Sequence, residues 1–266
     1  MVSRFVLFIA CLLLGVWAHA GIVIHNGLTH IFKVKSGEVY KGVISLENTA
    51  KAPQNVKVYM QDVRYKWSGE IYYTNPQSHD HSNAAWIRLG GTQLTLQAGE
   101  KADLPYEIWV PQNLREASSY WSVIIIEPEN PIEPDKIGKG ITIHSVVRYA
   151  IQIITNYNTD ELKPNLKFEH IKVEKEQNNR ILKVAVSNFG SVFCKSIVSA
   201  DLYDRRNGQK VGTYQSVPMS LLPGNSKSFF IDISSVPRGQ YTSVIMAVDE
   251  DENAFALNAE LDIKDD

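Results

Sequence analysis

From Gly21 onward, short runs rich in Val, Ile, Tyr and Thr are separated by Gly, Pro, Asn and Asp. Within many runs apolar and polar residues alternate, the period of a strand that buries one face. The pattern predicts strands at Ile31–Lys35, Tyr40–Asn48, Asn55–Trp67, Glu70–Thr74, Trp86–Leu89, Gln93–Gln97, Lys101–Val110, Tyr120–Glu127 and Ile141–Thr155. A second series reads Leu166–Glu174, Leu182–Asn188, Ile197–Asp204, Gly212–Ser220, Lys227–Ile233, Gly239–Asp249 and Ala254–Ile263. No long stretch carries helical periodicity. Turn signals recur about every 8–14 residues, as in β-sandwiches.

The two series echo each other. Each has a strand ending in Asn (Asn48, Asn188), a Gly turn before a strand (Gly99, Gly224), a Val-Pro (Pro111, Pro237) and a Tyr-x-Ser-Val-Ile run at Tyr120 and Tyr241. Asn suits the left-handed turn after a strand, and Gly permits a tight hairpin. The fold class that follows is all-β: two tandem immunoglobulin-like or fibronectin-type β-sandwich domains. Residues 21–157 form the first and 165–266 the second, joined by the polar linker 158–164, NTDELKP.

Two runs depart from simple alternation. In Tyr120–Glu127, Trp121, Val123 and Ile125 fall on one face, and Tyr120, Ser122, Ile124 and Ile126 on the other. A half-solvated strand would have one polar face, so this strand is covered twice, by the opposite sheet and by either the neighbouring domain or a partner. In Asn55–Trp67 the apolar set changes parity between Met60 and Val63, which predicts a bulge near Gln61–Asp62.

The first twenty residues read differently. Arg4, an apolar run from Phe5 to Val16 and Ala18-His19-Ala20 form the pattern of a secretory signal peptide cleaved after Ala20. The run is about 12 residues, short for a spanning helix, although retention as an anchor is the alternative. Cys11 fits a lipid-attachment site poorly. Cleavage leaves Cys194 alone, so no intrachain disulfide can form and core burial must hold the fold. No second apolar segment could span a membrane. Net charge is −2 with both signs mixed, which offers no basic field for nucleic acid.

The signal peptide, the paired sandwiches and the series Val110-Pro111, aromatic-rich strand, Glu127-Pro128 and Asn130-Pro131 resemble the periplasmic pilus-chaperone (PapD-like) class. The turn Ala98-Gly99-Glu100-Lys101, with Leu221–Gly224, Val236–Tyr241 and Val244–Asp249, is similar to the modules of the WxL-interacting cell-surface proteins. The chaperone resemblance implies an apolar strand lent to an incomplete subunit, and two basic residues that hold the subunit's C-terminal carboxylate. Lending works because edge backbone groups supply hydrogen bonds while alternate side chains fill the partner's gaps. The matching row is Ile141, Ile143, Val147 and Tyr149, continued by Ile151 and Ile153. Arg148 stands near the family's cleft lysine, and Lys33 or Lys35 are the candidates for its arginine. The same row also suits the ordinary last strand of a sandwich.

Other candidate chemistry is sparse. His79 and His81 could share a metal if extended, but a site needs three or four ligands, and a solvated loop is expected. Asp249 to Asn253 matches part of a calcium loop, yet Ala254 stands where glycine is required and the flanks are strands. No nucleophile elbow, zinc-protease helix, phosphate loop or dinucleotide fingerprint occurs. No catalytic residue, metal or cofactor is therefore assigned, and the chain is read as a non-enzyme. Tyr72, Tyr73 and Trp86 could form an aromatic surface for a glycan or peptide, or serve as core aromatics with one tyrosine outward. The leading expectation is an exported, periplasmic or surface protein with a chaperone-like or assembly role, binding a protein subunit of a surface structure. The alternative is a surface scaffold holding cell-wall glycan with one module and a protein with the other.

Overall fold

The computed structural model describes residues 21–129, 132–137, 141–145, 147–177 and 179–264, with 132–137 and 141–145 as backbone. The signal-peptide assignment lies outside these residues. In the first sandwich, β1 (Ile22–Ile24), β2 (Thr29–Val34), β3 (Val39–Asn48), β4 (Gln54–Tyr65) and β5 (Ile71–Thr74) precede a 3-10 turn at Ala84–Trp86. Then come β6 (Ile87–Leu89), β7 (Gln93–Leu96), β8 (Lys101–Trp109), β9 (Ser118–Pro128) and β12 (Tyr149–Tyr157), with β10 (Ile132–Ile137) and β11 (Ile141–Ser145) between β9 and β12 in the chain but in neither sandwich. The second sandwich contains β13 (Leu166–Glu176), β14 (Asn179–Asn188), β15 (Cys194–Asp204), β16 (Lys210–Gln215), β17 (Met219–Leu221), β18 (Ser226–Asp232), β19 (Gly239–Asp249) and β20 (Ala254–Ile263).

The first sandwich packs a four-stranded sheet, β1-β3-β8-β6, on a six-stranded one, β2-β12-β9-β4-β5 with β7 also on β4. Ile44, Leu46, Tyr106 and Ile108 from one sheet meet Val56, Val58, Ile124, Ile126, Ile151 and Ile153 from the other. Gly42 lies so close to the Tyr106 ring that a Cβ there would overlap it. The second sandwich sets β13-β14-β18 against β16-β15-β19-β20, with β17 on β15, around Phe229, Val184, Val198 and Ile245.

The internal repeat extends to individual hydrogen bonds. Tyr120 Oη donates to Glu116 O at 2.9 Å, and Tyr241 Oη donates to Pro237 O at 2.7 Å. Each is a tyrosine corner at the start of its strand, tying the strand to the preceding turn. Tyr120→Phe and Tyr241→Phe should each cost about 0.5–1.5 kcal/mol in denaturant unfolding. A loss in one sandwich only would break the equivalence.

Asn48 and Asn188 are also equivalent, but not as left-handed residues, since neither has a positive φ. Both are buried. Asn48 Nδ2 donates to Ala52 O, Leu96 O and Gln97 O, while Asn188 Nδ2 donates to Val192 O and Leu221 O. Each side-chain oxygen accepts an N–H two residues on, from Ala50 and Gly190. Each backbone carbonyl accepts from the turn glycine, Gly99 and Gly224.

The expected bulge at Gln61–Asp62 is absent. β4 pairs with β9 through Gln61↔Val123 and with β5 from Asp62↔Thr74, with no register shift. The change of parity has another cause. Val56 and Val58 face the sandwich core, whereas Val63 and Tyr65 face a separate cluster with Trp121, Val123, Ile125, Ile154 and Leu222. Leu222 belongs to the second sandwich. The doubly apolar β9 is therefore covered on one face by the opposite sheet and on the other by this junction.

Polar contacts fix the junction further. Tyr65 N–H donates to Asn225 Oδ1 at 2.7 Å, and Leu222 N–H donates to Tyr65 Oη at 2.9 Å. Trp67 N–H donates to Ser226 Oγ, Ser228 Oγ donates back to Trp67 O, and the indole stacks on His170 at 5.3 Å. Ser119 N–H donates to Ser191 O, and Phe193 N–H donates to Ser119 Oγ.

Candidate functional site

The expected strand Ile141–Thr155 is two strands. β11 pairs with β10 in a ribbon that belongs to neither sandwich, with Ile143 opposite Asp135 and Ile141 opposite Ile137. β12 pairs with β9 along its whole length and, in parallel, with β2 from Gln152 to Tyr157. Its free edge is thus only Tyr149–Ile151 among the described residues. Ile151 and Ile153 are fully buried in this protein's own core, so the lower half of the row has no side chains to lend. Val147 is exposed, and half-buried Tyr149 donates its hydroxyl to Ile22 O.

The two cationic candidates do not converge. Lys33 lies opposite Asn156 across the β2–β12 pairing, while Arg148 precedes β12. Eight residues of strand separate those positions, about 26 Å. Each already has an acidic neighbour: Lys33 Nζ is 2.7 Å from Asp160, and Arg148 Nε is 3.9 Å from Glu127 and near the Tyr59 hydroxyl. A shared carboxylate clamp is not formed by Lys33 and Arg148.

The aromatic set divides. Trp86 is only 8% exposed and packs on Tyr120 at 4.9 Å, so it is a core residue rather than part of a surface. Tyr72 and Tyr73 are both exposed, at 41% and 47%, next to exposed Ile71. Both rings reach solvent because β5 is a four-residue edge strand paired only with the far end of β4. Lys66 Nζ sits 5.4 Å above the Tyr72 ring. A further exposed indole, Trp109, is stacked by Arg88 at 4.0 Å and donates to Glu107.

A surface missed in the sequence lies on the outer face of the β16-β15-β19-β20 sheet. Ile197, Val248 and Ala254 line up across three strands, and Ser199, Met246 and Ala256 form the next row. Ile197 is exposed, Val217 beside it is 70% exposed, and Val244, Met246 and Val248 are partly so. Charges around this strip are matched locally: Lys195 with Glu250, Lys210 with Asp201, and Arg205 with Glu260. The signal was present. Val244 and Met246 occupy the places in Tyr241–Asp249 that Val123 and Ile125 hold in β9, where the junction covers them.

The remaining candidates sit in structural settings. Burial pushes the Cys194 thiol up to about 11, the behaviour of an inert core residue. Asp249 Oδ1 accepts the N–H groups of Asp251 and Asn253 and so shapes the hairpin tip. The His79 loop is not solvated as expected, since the His79 side chain is 1% exposed. Among the described residues, no three His, Cys, Asp or Glu gather as metal ligands, and no helix is long and apolar enough to cross a membrane.

Comparison with known proteins places residues 138–266, just under half of the chain, on the family model "WxL Interacting Protein, host binding domain". That is a family of binding domains. Among solved structures, the chain is similar to the YadV chaperone at 16% identity and a TM-score of 0.43, over 91% of this chain and 100% of that one. It is similar to a chain of a chaperone–tip adhesin complex of CFA/I fimbriae at 15% identity and a TM-score of 0.46, over 90% and 98%. It is also similar to the Pseudomonas aeruginosa CupB2 chaperone at 10% identity and a TM-score of 0.39, over 90% and 100%. The likeness to the WxL-interacting proteins drawn from the sequence is met over residues 138–266. No match was found among curated proteins.

Proposed function

We propose that this chain is an exported, non-catalytic binding protein of the bacterial cell surface, whose C-terminal half holds a protein partner. The match of residues 138–266 to a host-binding domain carries this reading. The partner class that follows is a protein on the host surface, bound by the apolar strip of Ile197, Val244, Met246 and Val248. Apolar strips of this kind, rimmed by matched charges, suit protein recognition. The internal repeat supports the choice of face, because the corresponding residues of β9 are covered by a neighbouring sandwich.

The first sandwich serves as the wall-side module, with Tyr72 and Tyr73 offering flat rings to glycan. A second reading, strand lending to a surface subunit through Ile141 and Ile143, draws on the β10–β11 ribbon lying outside both sandwiches. Two assays separate the roles. The full chain should sediment with purified wall material and retain a host-surface protein at the same time. Replacing Tyr72 and Tyr73 by Ala should abolish sedimentation and leave protein capture intact. Loss of both together, or retention of neither by the unaltered chain, would overturn the division of labour.

A further inference from the structure

Segment 75–86, between β5 and β6, is held over the junction by a buried carboxylate and two imidazoles. Asp62 is wholly buried and accepts from Ser78 N–H at 2.7 Å, Ser78 Oγ at 3.1 Å and Ser82 Oγ at 2.7 Å. Beyond Gln61, β4 no longer pairs with β9. The segment takes its place: Trp121 N–H donates to His81 O, and Asn83 N–H donates to Trp121 O. His79 stacks on Trp121 at 4.4 Å, and His81 lies nearly parallel to the same indole at 6.0 Å. His81 Nδ1 is 3.1 Å from Ser118 Oγ, which donates to Ser191 O of the second sandwich.

His79 is the anomaly in this arrangement. Neither ring nitrogen has a hydrogen-bond partner, and Nε2 stops 3.8 Å from Asp62 Oδ2, whose lone pairs Ser78 already engages. A neutral imidazole tolerates such a place through ring stacking, but an imidazolium would be charged and desolvated. We infer that residues 75–82 of this segment, ahead of the buried Asn83 and Trp86 that anchor its far end, are an acid-opened clasp on the junction between the sandwiches, with His79 as its trigger. Opening it uncovers Trp121 and releases the His81–Ser118–Ser191 link, so the junction loosens.

The groups around His79 settle the direction. Burial acts most strongly against the proton; Asp62 on β4 favours it, Arg64 on β4 and His81 on the segment oppose it, and Asp80 favours it weakly. The outcome is an imidazole held below its ordinary value of 6.5. A group depressed on closing must shed its proton to close. Closure is therefore complete above the ordinary value and weakens as pH falls below it toward the depressed one.

Hydrogen exchange of the full chain, read as protection factors for peptides spanning 75–82 and 118–122, tests the inference. Between pH 7.5 and pH 5, protection should fall by up to about thirtyfold, the ceiling set by an ordinary imidazole in the open form. His79→Phe keeps a ring on Trp121 and cannot titrate, so its protection should not change with pH. His30, also depressed by burial, sits against Tyr106 and does not touch these peptides. Should His79→Phe fail to fold, an NMR titration of the His79 ring in the unaltered chain decides the matter. A midpoint at or above the ordinary imidazole value overturns the clasp, as does constant protection in the unaltered chain or an equal fall in His79→Phe.

Discussion

Trp121→Ala is expected to lower the unfolding free energy by about 3–5 kcal/mol, the range for emptying a buried aromatic site. The indole is 2% exposed and packs with Val63, Tyr65, Val123 and Leu222. Its Nε1 donates to Val63 O at 2.9 Å, so truncation also leaves a buried carbonyl without that donor. In thermal unfolding this amounts to roughly 10 °C for a chain of this size. Trp109→Ala, which removes an exposed ring, should stay within about 1 kcal/mol. A small effect of Trp121→Ala would mean that the cluster between the sandwiches contributes little to the folded state.

The second large effect concerns the paired asparagines. Asn48→Ala and Asn188→Ala should each cost about 2–3 kcal/mol. The substitutions strip turn carbonyls of their donors and leave the Ala50 and Gly190 N–H groups without acceptors. The two sites lie in different sandwiches and share no partner. Their costs should therefore add in the double variant within about 0.5 kcal/mol. Urea unfolding of the three variants measures this. Strong non-additivity would indicate that the sandwiches do not hold their turns independently.

The strands, the repeat and the double burial of β9 were legible because each rests on a local pattern: alternation, turn residues and parity. The equivalent tyrosines could be paired by eye, and their shared hydrogen bond follows from that pairing. What the asparagines do was not legible. Residue type suggested backbone freedom, whereas the side-chain amide meets carbonyls nearly fifty residues away at Leu96 and Gln97. The supposed bulge failed for a related reason. A parity change marks a new burial environment, and only the second sandwich, through Leu222, reveals what that environment is.

The candidate site was less legible. The row from Ile141 to Ile153 has unbroken parity in sequence, but the backbone leaves the sheet before Tyr149 and pairs β11 with β10 instead. Trp86 was open to a surface or a core reading until the 3-10 turn set it against Tyr120. The histidines of the 75–86 segment looked solvated, because Asp62 and Trp121, which bury them, are remote in sequence. The apolar strip on β19 went unread, although Val244 and Met246 stand in the repeat where Val123 and Ile125 stand in β9, because only the fold shows that the junction covers the first strand and not the second.

The proposed capture of a host-surface protein is tested most directly by the affinity of the full chain for such a protein, measured for two double variants. Ile197→Lys with Met246→Lys places charge on the outer strip without touching the core. Ile141→Thr with Ile143→Thr keeps β-branching on β11. The strip variant should weaken binding at least about a hundredfold, since two buried apolar contacts of about 1.5 kcal/mol or more are lost. The β11 variant should bind as the unaltered chain does. Unchanged affinity in the strip variant with a hundredfold loss in the β11 variant would contradict this account and favour strand lending.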